Sequence, residues 1–315
     1  MQVMRKKYAI GADAGGSHIS VITMDLEKET VLRNCKACCK VDNKASADDI
    51  LDSWKSAIEK SISGIDRDQL SGIGIAMPGP FDYTKGIALF TREVNKFEEL
   101  YGINIADRLR QLLDLPEDMP IRFMNDATSF AVGDAWKGKS CKSKKMIAIT
   151  LGTGLGAAFI ESGIPVLERN DVPRGGCLWN VPYSESIAND YFCTGWFVRK
   201  YFEKTGKTLP GVKEIARQAA TNPDVNAIFE EFGALLGEFL APYLQKFDAD
   251  CLVLGGNITR AYNLFGPAFS AMLESKNLNI NVELSVQMET SAMIGSARLM
   301  NEDFWKQIKP LLPLM

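Results

Sequence analysis

What this sequence is short of narrows its chemistry before any motif is considered. Histidine occurs once in 315 residues, at His18, which excludes any metal centre built on two imidazoles. Placed directly after a run of glycines, His18 reads as a partly exposed turn residue rather than a base. Cysteine is present but has no frame: of seven, Cys35, Cys38 and Cys39 cluster while Cys141, Cys177, Cys193 and Cys251 are scattered. They read as reduced thiols of a cytoplasmic protein, not as a disulfide scaffold. A zinc site on the first three would need a matching ligand pair elsewhere, and none stands at a suitable spacing. No apolar run reaches the ~18 residues of a membrane span. The N-terminus, MQVMRKKYAIG, turns strand-like too soon to hold a signal-peptide core. Neither sign of charge dominates: 36 Lys and Arg face 39 Asp and Glu, for a net charge of −3 and a pI near 5.5. Nothing in that balance calls for nucleic acid or an anionic membrane as a partner.

What is present is a large apolar fraction, 46%, enough for a sizeable core, and a length that suggests about two domains. Glycine is used in a distinctive way. Residues 146–163 read MIAITLGTGLGAAFIESG: an apolar run, the small turn Gly152-Thr153-Gly154, and an apolar return. Such a stretch folds as a hairpin whose tip offers bare backbone N–H groups and one hydroxyl, a suitable surface for phosphate oxygens. By itself it is an ordinary Gly-rich hairpin. Residues 8–25, YAIGADAGGSHISVITMD, repeat the plan with Gly15, Gly16 and Ser17 at the tip. The copies lie about 140 residues apart, beyond any tandem-repeat period, and suggest two similar halves that clamp a polyphosphate between them.

The remaining pattern is that of an α/β chain. Residues 31–35 read as a third strand and 46–63 as a helix with Ile50, Trp54, Ala57, Ile58 and Ile62 on one face. Residues 73–77 form a buried strand broken by Pro78-Gly79-Pro80. A helix over 105–113 and a strand over 121–124 follow. In the second half helices are expected over 187–204, 212–220 and 225–247, the last kinked or interrupted near Pro242. A strand at 251–254 ends in Gly255-Gly256-Asn257, a helix starts near Thr259, residues 281–287 alternate like a strand, and one final helix spans 291–308.

Asn125-Asp126 stands where a strand gives way to the helix 127–136. Either residue serves as an N-cap. A carboxylate at that junction also points into the crevice outside the strand ends, where α/β proteins bind ligands, and can take a proton from a substrate hydroxyl. Residues 133–140, GDAWKGKS, match the P-loop pattern letter for letter. A P-loop follows a strand and opens a helix; this segment closes a helix and precedes a strand, so it is not one.

Together these motifs resemble the ROK family of sugar kinases over most of the chain. ADAGGS (12–17) is similar to the family's first phosphate motif, with Ser17 where Thr is usual, and TLGTGLG (150–156) to the second. MPGPFD (77–82) resembles the sugar-contacting loop and Asn95 to Phe97 the segment after it. Asn125-Asp126-Ala127 resembles the motif that carries the base, and LVLGGN (252–257) the adenosine-side motif. The resemblance implies a two-lobed actin-like (ribonuclease H-like) fold with an interlobe cleft. Its lobes would be residues 1–137 and 138–290, with a C-terminal helix from about 291 to 315 packing back on the first. It implies ATP and Mg²⁺ as cofactors, a small-molecule sugar as substrate, and a homodimer. Asp126 would be the general base and Asp13 would lie near the Mg²⁺, directly or through water. Gly15, Gly16, Ser17, Gly152, Thr153 and Gly154 would hold the phosphates, Gly255 and Gly256 would support adenosine, and Gly79, Pro80 and Asn125 would contact the sugar.

The departures fall on the sugar side. Where the family usually carries Glu-x-Gly-His, this chain has Cys177-Leu178-Trp179-Asn180, and the later glutamate falls near Asn189. Cys177, Asn180 and Asn189 would therefore make neutral contacts where carboxylates usually grip hydroxyls. Trp179 reads either as a stacking surface for a less polar sugar face or as a core aromatic. The alternative to a kinase is a sugar-binding regulatory protein without turnover. Retention of Asp13 and Asp126 favours the kinase, and the early first strand leaves no room for a DNA-binding helix-turn-helix. No cysteine-rich zinc loop follows residue 180, so elemental analysis of the purified chain is expected to find no stoichiometric zinc. One zinc per chain would place the ligand loop elsewhere.

Overall fold

The computed structural model describes residues 6–92, 96–287 and 289–315, apart from the side chains of Ser140, Cys141 and Glu289. Asn95, singled out above, lies outside the described residues. In chain order the elements begin with β1 (Tyr8–Ala14), β2 (His18–Asp25), β3 (Thr30–Lys40), α1 (Ala47–Ser61), β4 (Leu70–Met77), β5 (Phe81–Asp82), β6 (Ile87–Ala88), α2 (Ile105–Leu112), β7 (Ile121–Asn125) and α3 (Asp126–Lys137). Next come β8 (Lys145–Leu151), β9 (Leu155–Glu161), β10 (Ile164–Pro165), β11 (Pro182–Tyr183), β12 (Ser186–Ile187), α4 (Ala188–Tyr191), α5 (Thr194–Thr205), α6 (Val212–Ala219) and α7 (Pro223–Phe247). The series closes with β13 (Cys251–Gly255), α8 (Tyr262–Ser275), β14 (Asn281–Leu284), α9 (Glu289–Arg298) and α10 (Glu302–Ile308). No helix among the described residues is long and apolar enough to cross a membrane.

The chain divides into two compact units, one ending at Gly138 and resuming at Gln287–Met315, the other Lys139–Val286. Each holds a five-stranded sheet, ordered β3-β2-β1-β4-β7 in the first and β10-β9-β8-β13-β14 in the second. The strand logic is the same in both. Three strands joined by tight turns pair antiparallel, and two more that arrive after helices pair parallel, as a parallel neighbour requires a long crossover.

In the first unit, α1 starts where Ser46 accepts a hydrogen bond from the Asp49 N–H at 3.2 Å and buries Ile50, Leu51, Trp54, Ala57 and Ile58. The expected strand 31–35 extends to Lys40. Lysines 36 and 40 interrupt the apolar pattern, but pairing of Ser20 with Cys38 and His18 with Lys40 carries the ladder on. The expected single helix 291–308 is two: α9 ends at Arg298, and Asn301 caps α10 by accepting from the Phe304 N–H at 2.9 Å. In the second unit the range 187–204 also splits, because Cys193 is extended (φ −139°, ψ 169°) between α4 and α5. The helix expected to break near Pro242 is instead one element of 25 residues, capped by Asn222 with Pro223 in its first turn. The helix expected from Thr259 begins as a 3-10 turn at Asn257–Ala261, which leads into α8.

Helix α9 lies backbone-to-backbone on the first sheet and on α3. A Cβ added to Gly11 in β1 would sit 2.0 Å from the Met293 carbonyl oxygen, one on Gly74 in β4 1.8 Å from that of Ser296, and one on Gly133 in α3 1.9 Å from that of Ser291. Only glycine allows such approaches. Gly133→Ala is therefore expected to destabilise the protein by about 1–3 kcal/mol, the usual cost of forcing one extra carbon into a packed interior. A fall in the urea midpoint at unchanged m-value is the measurement.

Candidate active site

In the first unit, the parallel strands β1, β4 and β7 end side by side, with Asp13 opposite Ala76 and Met77 opposite Asn125. Their carboxyl ends carry Asp13 and the Gly15–Ser17 turn, the exposed Gly79 and Pro80, and the Asn125-Asp126 junction. The structure thus brings these predicted residues to one sheet edge, the usual ligand-binding end of an α/β sheet.

The Gly15–Ser17 turn is pinned from its carbonyl side. Asn43 Nδ2 donates to the Gly16 carbonyl, Val41 N–H to that of Ser17 at 2.9 Å, and the turn closes through Gly15 N–H to His18 O at 3.0 Å. Among the described residues the Gly16 and Ser17 N–H groups donate to nothing, which is the arrangement an anion completes. The exposed Ser17 hydroxyl lies 3.0 Å from His18 Nδ1.

Asp126 is the first residue of α3. Asn125 caps that helix, its Oδ1 accepting from Thr128 N–H at 3.1 Å while its Nδ2 donates to the Tyr83 hydroxyl oxygen at 3.3 Å. The Tyr83 hydroxyl in turn donates to the Met77 carbonyl at 3.0 Å, so β4 and β7 are tied together at their ends. One Asp126 oxygen accepts from Ala127 N–H at 2.8 Å. Burial raises the Asp126 carboxyl above its ordinary range; the positive charge of Lys96 and the hydrogen bonds from Ala127 and Asn125 oppose the shift without cancelling it. The result is a stronger base than an ordinary carboxylate. The Tyr83 phenol is pushed well above its usual value, first by burial and then by the charge on Asp126.

The second unit has its own gathering at the ends of β8 and β13. Gly152 N–H donates to Gly154 O at 3.1 Å, and the Gly152 carbonyl is held by both the N–H and the hydroxyl of Thr194, at 2.8 and 2.9 Å. Thr153 and Gly154 are exposed, and among the described residues their N–H groups donate to no partner. Asn189 abuts this turn: its Oδ1 accepts from Leu155 N–H at 3.0 Å and would lie 2.9 Å from a Cβ on Gly154. Gly256, at φ 87°, passes so close that a Cβ there would be 2.3 Å from the Leu151 carbonyl oxygen. Gly152, Thr153, Gly154, Asn189, Gly255 and Gly256 are therefore one cluster.

Cys177 and Asn180 lie together on the loop before β11, with Sγ 3.7 Å from Oδ1. Burial raises the Cys177 thiol above its ordinary value, favouring the neutral form. Trp179 is not a core residue: its side chain is 47% exposed, and its carbonyl accepts from Asn189 N–H at 2.9 Å. Its reading as a core aromatic is thereby corrected. A loop residue flanked by Pro and Gly has no periodicity from which burial could be judged.

Sequence reasoning passed over Asn43, Tyr83, Lys96 and Thr194. Tyr83 adjoins a segment already singled out (77–82), and Lys96 lies within another (95–97), where it was given no role of its own. Asn43 and Thr194 act on backbone carbonyls distant in sequence and carry no local signal.

A profile of the family described as the ROK family matches residues 9–169 of the chain. The glucokinase of Thermotoga maritima is 25% identical in an alignment covering 95% of this chain and 99% of that protein. An N-acetyl-D-glucosamine kinase of Pectobacterium carotovorum is 26% identical over 79% of this chain and 83% of its own length. The solved structure of a ROK family glucokinase from Streptomyces griseus, in complex with glucose and AMPPNP, superposes with a TM-score of 0.72 at 21% identity, covering 94% of this chain and 99% of that one. This last likeness is one of fold.

The Asn125 geometry has a direct consequence. Asn125→Ala removes both a helix cap and the bond to Tyr83, and is expected to cost about 1–2 kcal/mol. Asn125→Asp, which keeps a capping oxygen, is expected to recover most of that loss in chemical denaturation.

Proposed function

The chain belongs to the ROK family, and on that premise we propose that it is an ATP-dependent sugar kinase. It would transfer the γ-phosphoryl group of ATP to a hydroxyl of a hexose or hexose derivative. The observation that carries this reading is Asp126, a carboxylate of raised basicity held by a helix cap at the same sheet edge as a glycine turn with unused N–H groups. The activities named for the Thermotoga and Pectobacterium relatives support the reading.

In this mechanism Asp126 accepts the proton of the sugar hydroxyl as its oxygen bonds to the γ-phosphorus. The bond from that phosphorus to the β-γ bridging oxygen breaks, and its electron pair leaves with ADP. Most of the catalysis of such a transfer is positioning and charge stabilisation. Gly16, Ser17, Thr153 and Gly154 supply backbone donors for phosphate oxygens, and Gly255-Gly256 gives adenosine a bare backbone surface. Gly79, Pro80 and Asn125 would contact the sugar, and Cys177, Asn180 and Asn189 are further sugar-contact candidates. Among the described residues no three His, Cys, Asp or Glu side chains cluster as metal ligands. A single protein carboxylate such as Asp13 suits an Mg²⁺ ion carried largely by phosphates and water. Asp13 would hold that ion directly or through water, and the ion would neutralise phosphate charge.

The neutral Cys177-Asn180 pair favours a second reading, a sugar-binding regulatory protein without turnover. A phosphotransfer screen with Mg-ATP against hexoses, amino sugars and N-acylated sugars separates the two. The kinase reading expects a substrate whose kcat falls at least about 100-fold in Asp126→Asn, the usual scale of general-base help. Binding of a sugar with no phosphate transfer would favour the regulator instead. The pH profile is a further check. The base works only when ionised, so kcat should fall as pH drops through the raised Asp126 pKa. That acid limb should lie above the ~3.9 of an ordinary aspartate.

A further inference from the structure

Lys96 lies against the glycine turn of the first-unit site, and its charge acts on Asp126. Its side chain is half-buried, and its Cδ lies 4.0 Å from the position a Cβ on Gly16 would take. Its positive charge also acts on the Asp126 carboxyl, opposing the rise that burial causes. The segment is held by its neighbour. Phe97 is in the left-handed region at φ 56°, its N–H donates to Asn43 O at 2.9 Å, and its fully buried ring meets Trp54 edge-on at 5.8 Å and Phe90 at 5.5 Å. Asn43 is also the residue that holds the Gly16 carbonyl. One asparagine thus fixes the phosphate turn and the base of the lysine arm together.

Among the described residues, Lys96 makes no hydrogen bond and closes no ion pair, with Asp126 or any other carboxylate. A partly buried lysine with no partner among the described residues leaves a positive charge that an anion would complete. Beside it are two unused N–H groups, which also call for an anion, and a carboxylate suited to a hydroxyl proton.

We propose that Lys96 is a catalytic residue that binds the oxygens of the phosphoryl group as it passes from the nucleotide to the sugar. This deepens the kinase reading and rests on it for the word catalytic, though not for anion binding. The bond changes are those given above; Lys96 moves no proton and supplies positive charge where the transferring oxygens develop it. Its compact ammonium on a flexible stem can follow the phosphoryl group over the distance between the Gly16 side and the Asp126 side.

Two measurements on the full chain test the proposal. In calorimetric titration with inorganic tripolyphosphate, which needs no turnover, the wild type is expected to bind and Lys96→Gln to bind at least about 10-fold more weakly, with Lys96→Arg recovering most of the affinity. In steady-state assays on whichever sugar the wild type phosphorylates, Lys96→Gln is expected to lower kcat about 100-fold with the sugar KM within about threefold. The acid limb should also move to higher pH. The groups facing Asp126 are Lys96, which lowers its pKa, and the Tyr83 phenol, which is neutral there; removal of the lysine charge lets the pKa rise. Equal tripolyphosphate binding by wild type and Lys96→Gln, no binding by the wild type, or an unchanged kcat would each overturn the assignment. Failure of every sugar in the screen would overturn the kinase reading, while the tripolyphosphate titration would still decide whether Lys96 holds an anion.

Discussion

The first unit depends on the contact of one helix backbone with three others. Helix α9 sets its carbonyl oxygens against Gly11 of β1, Gly74 of β4 and Gly133 of α3, at separations that leave no room for a side chain. Those elements carry the phosphate turn, the Gly79-Pro80 loop and Asp126. Close packing of this kind resists displacement, since interiors are as dense as organic crystals and a shift of one partner is felt by the next. The spacing between the turn that offers N–H groups and the carboxylate that takes a proton is thus set by an element belonging to neither. Rigid support of this sort is what phosphoryl transfer requires, where a displacement of about 1 Å is worth orders of magnitude in rate.

On that frame the local electrostatics are a balance. Burial raises the Asp126 carboxyl; Lys96 and the hydrogen bonds from Ala127 and Asn125 hold it back. Burial alone would push the carboxyl further towards its protonated form, while full exposure would leave it the weaker base of an ordinary carboxylate. Tyr83 completes the arrangement. Its buried hydroxyl is satisfied at both ends, donating to Met77 and accepting from Asn125, so it steadies the cap without adding a charge.

The second unit repeats the strand order of the first with different furniture. Between β3 and β4 the first unit inserts one helix, whereas between β10 and β13 the second inserts α4 to α7. Its core is correspondingly aromatic, with the rings of Phe192, Trp196, Phe197 and Phe265 meeting that of Phe232 at centroid distances of 6.0, 5.6, 4.6 and 5.3 Å. Helices α7 and α8 meet through Gly233, where a Cβ would lie 2.1 Å from the Phe265 carbonyl oxygen, much as α9 meets α3. The same solution, a glycine that lets two backbones touch, recurs in both units.

The chain by itself determined its strands, its caps and its two glycine turns. These are local properties: apolar periodicity decides burial, Ser46 and Asn125 each satisfy N–H groups within one helical turn, and small residues mark where a backbone must bend or be approached. The Asn125-Asp126 junction was legible for the same reason. Tertiary structure decided whatever depends on groups far apart in sequence. Cross-strand pairing carried β3 through Lys36 to Lys40, and the packing of α8 occupied the glycines of α7 without interrupting the helix at Pro242. Asn43 holding Gly16, Thr194 holding Gly152, Lys96 beside Asp126 and the exposure of Trp179 were equally out of reach. A hydrogen bond to a carbonyl, or a charge felt across a sheet edge, depends on distance in space, and one-dimensional spacing carries no record of it.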